Sequence, residues 1–243
     1  MTGDLEMHPL FITIANIHSS VRMKATSHAW ACIGYIPAPE FLTNSDFHSV
    51  LEARLWHCCL DIICSGLKVA ASIGTFMINP NNCTHYAFMP LAAYTADLPE
   101  QPMIACVAKS ASPVTMVKLD QFGDGICYPP CEGKITLQIL YDLCAGGLDP
   151  WWLQEFKFLA TAKAACLNGV QLPFWRDWWF LDPSIFLVGE ILHALLKLFF
   201  DHPFKWCKEL LGADELDTRY CTQHKRVGVR HFKKVLHMKQ MTG

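Results

Sequence analysis

The chain has 243 residues, a formal net charge of −2, a hydrophobic content of 52% and a mean hydropathy of +0.20, enough for one large core or two small ones. That apolar share is high for a soluble domain, so much of the chain is expected to be buried or matched to partner surface. Membrane spanning and secretion are not expected. The longest apolar passage, 184–200, is interrupted by Glu190, His193 and Lys197 and falls short of the ~20 apolar residues a span needs, and Asp4, Glu6 and His8 precede an apolar run too short for a signal core.

In chain order, HPLFITIANI (8–17) reads as a strand and SHAWACIGYIP (27–37) as its neighbour, joined by a polar turn. Pro37, Pro39 and the NSD triplet at 44–46 then punctuate before an amphipathic helix from about Ser49 to Ala71. Cys58, Cys59 and Cys64 fall within it as small hydrophobes. After the NPNN turn (79–82), residues 84–97 read as extended chain ending at Asp97, and LPEQPMIACVA (98–108) as a short element. QFGDGICYPPCEGK (121–134) is turn-rich; 135–146 and 149–169 are helical, and Gly146 and Gly169 suit their C-caps.

An aromatic connector from 168 then leads into a helix expected to carry Glu190, His193 and Lys197 on one face, with Leu and Phe rows on the others. Such a stripe is a candidate site. The plainer reading is a half-buried helix whose Glu and Lys reach solvent and whose His is hydrogen-bonded, and the scarcity of sites per protein favours it.

Twelve cysteines without a secretory signal are expected to be reduced, which fits a nuclear or cytoplasmic protein. Cys221 and His224 form a C-x-x-H pair that could join Cys207 and His231 in a zinc site, although no two C-x-x-C knuckles occur. From Thr218 onward there is no acidic residue, and seven of the 20 Lys and Arg lie there, among them Lys225, Arg226, Arg230, Lys233 and Lys234. This tail could contact DNA phosphate, or be a solvated face, since basic residues alone carry no sequence-reading information.

TGDLEMHPLFITIANIHSSVRMK (2–24), PLAAYTADLPEQPMIACVA (90–108), SPVTMVKLDQFGD (112–124), LNGVQLPFWRDWW (167–179), the Glu190-Ile191-Leu192-His193 step with Asp201-His202, and RHFKKVLHMKQMTG (230–243) together resemble the Plavaka-type transposases of fungi, in the KDZ group of cut-and-paste DNA transposons. The resemblance implies an RNase H-like catalytic core, in which acidic residues hold two divalent metal ions, Mg2+ or Mn2+, while a water or a DNA 3′-hydroxyl attacks a phosphodiester. It makes Asp97 the candidate for the acid near the end of the fourth strand and the divalent-metal ligand of this chain. Asp182 and Glu190 come next, and Glu190 with His193 is implied to brace the core. Asp97 before Pro99-Glu100 is also good capping chemistry.

The sequence departs from that family in three places. Members carry a first-strand aspartate in an S-D-K-T-like phrase ahead of the equivalent of Thr2-Gly3-Asp4; a further glutamate is expected downstream of Gly243; and Ser112-Pro113-Val114-Thr115 stands where many relatives have a C-P-x-C knuckle. The expectation is therefore an α/β chain: an incomplete RNase H-like core at 1–109, its central first strand missing, then a mainly helical insertion with a basic tail at 110–243. It is expected to derive from a transposase and to be inactive alone, with DNA and an intact relative or a second copy as partners and no small-molecule substrate. The rivals are a metal-dependent nuclease completed by another chain, a zinc-dependent interaction module, and a dispersed product without selected function.

Overall fold

The computed structural model describes residues 6–42, 45–148, 155–189, 192–224 and 227. They fall into two compact units, Met1–Val188 and Gly189–Gly243. The architecture is mixed α/β, with small two-stranded sheets among many short helices.

β1 (Met7–Thr13) and β2 (Trp30–Pro37) pair antiparallel from Met7↔Pro37 to Thr13↔Trp30. The register shifts after Leu10↔Gly34 so that Phe11 faces Cys32, leaving Ile33 as the extra residue of a bulge. The strand expected to run to Ile17 stops at Thr13, where Thr13 Oγ1 donates to the Ala29 carbonyl (2.7 Å) and ties the far side of the loop to the strand. The connection holds α1 (Ser19–Arg22), at whose start His18 Nδ1 accepts the Ser20 N–H.

The helix expected over 49–71 is two helices, α2 (Ser45–Ile63) and α3 (Ser65–Ser72), bent by 57°. Ser65 Oγ donates to the Ile62 carbonyl (2.9 Å) and Gly66 follows, the Ser/Gly pairing at which helices commonly kink. No single helix among the described residues is long and apolar enough to cross a membrane. β3 (Thr75–Ile78) and β4 (Thr84–Ala87) form a hairpin across the expected turn, where Asn79 Oδ1 accepts the N–H groups of Asn81 and Cys83 (2.9 Å each).

β5 (Tyr94–Ala96) leads into α4 (Glu100–Ala105) and pairs with β6 (Leu187–Gly189). Between them lie α5 (Gly133–Ala145), α6 (Glu155–Ala164) and α7 (Pro183–Phe186). The main core gathers Leu60, Ile104, Phe174, Trp175, Trp178 and Phe186. A second cluster, with Val50, Leu140, Phe158, Leu159 and Leu167, packs α5 and α6 on the start of α2. Full burial of each such side chain is worth about 1.5–3 kcal/mol.

α4 and α6 end in the same way. Cys106 N–H bonds to the Met103 carbonyl and Val107 N–H to Pro102; Cys166 N–H bonds to Lys163 and Leu167 N–H to Ala162, each pair making a Schellman stop. The left-handed position is held by Cys106 (φ 62°) and Cys166 (φ 60°), not by the glycine expected at 169. Back to back, the two stops share bonds from Ala108 N–H to the Cys166 carbonyl (2.8 Å) and from Asn168 N–H to the Cys106 carbonyl (3.1 Å). Gly169 instead serves close packing, since a Cβ there would sit 2.4 Å from Leu159 Cδ2. A left-handed non-glycine residue costs roughly 1–2 kcal/mol. Cys166→Gly is therefore expected to stabilise the fold by about 1 kcal/mol, raising the urea midpoint of unfolding without changing its slope.

The single apolar helix expected from 184 is a second difference. α7 gives way to β6 at Leu187, because a strand partner, β5, is available there. In the second unit, 192–197 and 200–204 follow the wider π path, then α8 (Lys205–Leu211) and α9 (Ala213–Thr222). Pro203 has no N–H to close an ordinary α turn and its ring crowds the carbonyl four residues back, conditions that widen the ladder locally. A small core of Phe204 and Leu216 with Phe200 and Ala213 holds this unit, and the Phe200 and Phe204 rings stack at 5.2 Å.

Candidate functional site around Asp97

β5 delivers Asp97 to the mouth of α4. Asp97 Oδ1 accepts the Glu100 N–H (2.9 Å) and its carbonyl accepts the Gln101 N–H (3.1 Å), so the candidate acid caps the turn that opens the helix. Glu100 lies beside it. Tyr94 donates its hydroxyl to Glu100 Oε1 (2.9 Å), and burial raises the Glu100 carboxyl above its ordinary value, with the neighbouring charge of Asp97 adding to the rise and the Tyr94 bond opposing it. The Tyr94 hydroxyl is itself raised by burial and by the charge of Glu100. On the open side, His8 of β1 packs its ring against Trp56 of α2 (5.5 Å) and draws the Glu100 value down slightly.

Glu100 entered the sequence reading only as part of the capping phrase, not as an acid of the site. Its signal was present as the D-x-x-E spacing, which brings an acid onto the first turn beside its capping aspartate. For a divalent ion this pair is a poor start, with one Asp97 oxygen committed to a backbone N–H and one Glu100 oxygen to the Tyr94 hydroxyl. Among the described residues no three His, Cys, Asp or Glu side chains converge where a metal could sit.

Asp182 sits elsewhere in the first unit and is fully engaged. Its Oδ1 accepts the Ser184 N–H (2.9 Å) and hydroxyl (2.7 Å), and its Oδ2 accepts the Gly133 N–H (3.0 Å), so it caps α7 and ties it to the start of α5. Glu190 lies outside the described residues, and His193 is described only in its backbone, within the π segment. Lys197 donates to Asp201 Oδ2 (2.9 Å), a local pair one turn on. Cys207 on α8, Cys221 on α9 and His224 just beyond are exposed. Lys225, Arg226, Arg230, His231, Lys233 and Lys234 lie outside the described residues.

The PFWRDWW phrase proves to hold the fold. Trp175 and Trp178 enter the core, and Trp175 Nε1 donates to the Ile104 carbonyl (2.8 Å). Arg176 reaches Asp61 of α2 (2.8 Å), while Lys68 of α3 pairs with both Asp61 and Asp177. Beneath them His57, wholly buried, donates from Nε2 to the Met103 carbonyl (3.0 Å) and accepts the Phe174 N–H at Nδ1 (3.1 Å), with Cys106 Sγ 3.4 Å from Nε2. Burial pushes the imidazole down to about 4 and the Cys106 thiol well up. One histidine thus joins α2, the end of α4 and the aromatic connector.

These phrases, so placed, match a known pattern: the family model described as Plavaka transposase covers residues 1–207. The chain belongs to the Plavaka transposase family. No curated protein and no solved structure matches it. Membership ties the chain to transposase-related function. The Plavaka match takes in the Asp97 corner, the His57 centre and the RDWW brace, and ends before α9 and the basic tail.

Proposed function

We propose that this Plavaka-family chain contributes DNA contact and scaffolding to transposition and does not cleave DNA strands by itself. The observation that carries this reading is the state of Asp97, which spends one oxygen on the cap of α4 beside a Glu100 carboxylate held by the Tyr94 hydroxyl. Two-metal phosphoryl transfer needs several carboxylates around both ions, and this corner brings Asp97 and Glu100, each with one oxygen already in a hydrogen bond. The order of hairpin, helix pair, second hairpin and a short strand leading to an acid is what we read as an RNase H-like core. In this reading DNA is held by the basic tail, through Lys225, Arg226, Arg230, Lys233 and Lys234.

A second reading has one specific support: the other Asp97 oxygen is not committed to the cap, so a partner chain bringing further acids could recruit it for Mg2+ or Mn2+. Supercoiled plasmid incubated with the purified chain and either ion separates the two. The plasmid is expected to stay closed with wild type and with Asp97→Ala alike, while a gel shift of the same DNA weakens when the five tail residues are neutralised. A metal-dependent nick that disappears in Asp97→Ala would install the second reading in place of the first.

A further inference from the structure

The connection between β1 and β2 carries chemistry that neither Asp97 nor the tail uses. No acidic residue occurs between Glu6 and Glu40, while Arg22, Lys24, His18 and His28 all fall in that interval. Among the described residues neither Arg22 nor Lys24 is paired with a carboxylate. In a chain whose net charge is −2 this is a local concentration of unopposed cations.

The fold gathers them. Arg22 ends α1, the Lys24 carbonyl accepts both the N–H (3.0 Å) and the hydroxyl (2.7 Å) of Ser27, and His28 takes a left-handed conformation (φ 50°) that turns the chain back into β2. The Thr13–Ala29 bond then clamps the returning end. The result is an open-sided cleft of about 390 Å³ lined by Arg22, Met23, Lys24, His28 and Trp30 together with two alanines. Its apolar lining is exposed: Trp30 is 50% and Met23 80% accessible.

We infer that this cleft binds an unpaired nucleotide of a single-stranded polynucleotide, its base against Trp30 and its phosphates on Arg22 and Lys24. Guanidinium and ammonium groups supply phosphate donors, and an indole offers a stacking face that any base can use. A volume near 390 Å³ lies in the range of small-ligand clefts. Duplex DNA keeps its bases stacked on one another and shows only their edges, so it could reach the two cations but not the Trp30 face. The inference rests on the DNA-contact reading above and adds a second contact point, of a different kind from the tail.

The test is fluorescence anisotropy of the full chain with a labelled oligo-dT strand and a duplex of equal length, with salt varied from roughly 50 to 200 mM. The strand is expected to bind more tightly than the duplex. Trp30→Ala should weaken strand binding about tenfold, whereas Trp30→Phe, which keeps a stacking face, loses much less. Arg22→Ala with Lys24→Ala should reduce the slope of log affinity against log salt by about 1.4, some 0.7 per phosphate contact. The Phe variant and the paired loop variant keep the test meaningful if Trp30→Ala unfolds. Strand binding unchanged in Trp30→Ala and in the paired variant, but lost when the tail is neutralised, overturns the cleft and leaves the tail reading standing. A duplex bound as tightly as the strand and insensitive to Trp30 also overturns it. A wild-type chain that binds neither probe overturns both readings.

Discussion

The stability of this protein is expected to fall by about 3 kcal/mol as pH drops from 6.5 to 4, and His57→Ala is expected to abolish most of that dependence. The folded imidazole titrates at about 4, against an ordinary value of 6.5, so between those limits the unfolded chain holds a proton that the folded one refuses. The stabilisation is fully present above the unfolded value and is lost as pH falls toward the folded one, at about 1.4 kcal/mol per unit. The geometry explains the refusal. Nδ1 accepts the Phe174 N–H, so a proton placed there would face another donor, and Nε2 already gives its own hydrogen to Met103. His57→Ala also leaves the buried Phe174 N–H without its partner, takes one of several donors from the Met103 carbonyl and opens a cavity, a further cost of about 3 kcal/mol at neutral pH. Urea midpoints of wild type and variant between pH 7 and 4 test both parts. Taking the difference between the two chains cancels titrations elsewhere, such as that of the raised Glu100 carboxyl. Parallel pH profiles would mean that His57 is not held neutral.

What the sequence displayed, and what it concealed, divide along the range of the interaction. The β1–β2 pairing was legible because alternation, β-rich composition and a polar turn all act within thirty or so residues. The turn at Asn79 was legible for the same reason. His57 was not: it sits inside an apolar helical pattern beside Cys58 and Cys59, and its two hydrogen-bond partners lie 46 and 117 residues away. The passage from 184 was misread because a run of Leu and Phe with a few polar residues suits an α, a π or a buried strand path equally. The deciding influences, a strand partner in β5 and a proline at 203, lie outside the periodicity. Asp97 was placed correctly at a strand end, and its capping chemistry ahead of Pro99-Glu100 was legible too, because the cap closes within three residues.

The same contrast sets the other large effect, at Asp61. Burial alone would push its carboxyl up, yet hydrogen bonds from Lys68 and Arg176 outweigh burial and hold it below the ordinary range. The Lys68 side chain is only 10% accessible, Asp61 28% and Asp177 56%. Asp61→Ala therefore strands a nearly buried ammonium with one exposed partner, and is expected to cost about 3–4 kcal/mol, or roughly 10 °C in Tm. Asp177→Ala removes a solvent-screened partner of the same lysine and is expected to cost about 1 kcal/mol or less. Equal losses in the two variants would show that Asp61 is not the hinge of the cluster. Because most of the Asp61→Ala penalty is the orphaned charge rather than the lost attraction, adding Lys68→Met should recover much of it. Recovery of that kind would identify the ion cluster as a specifier of geometry, fixing the bend between α2 and α3 and the RDWW turn against it, while the aromatic core around Trp175 supplies the greater part of the stability.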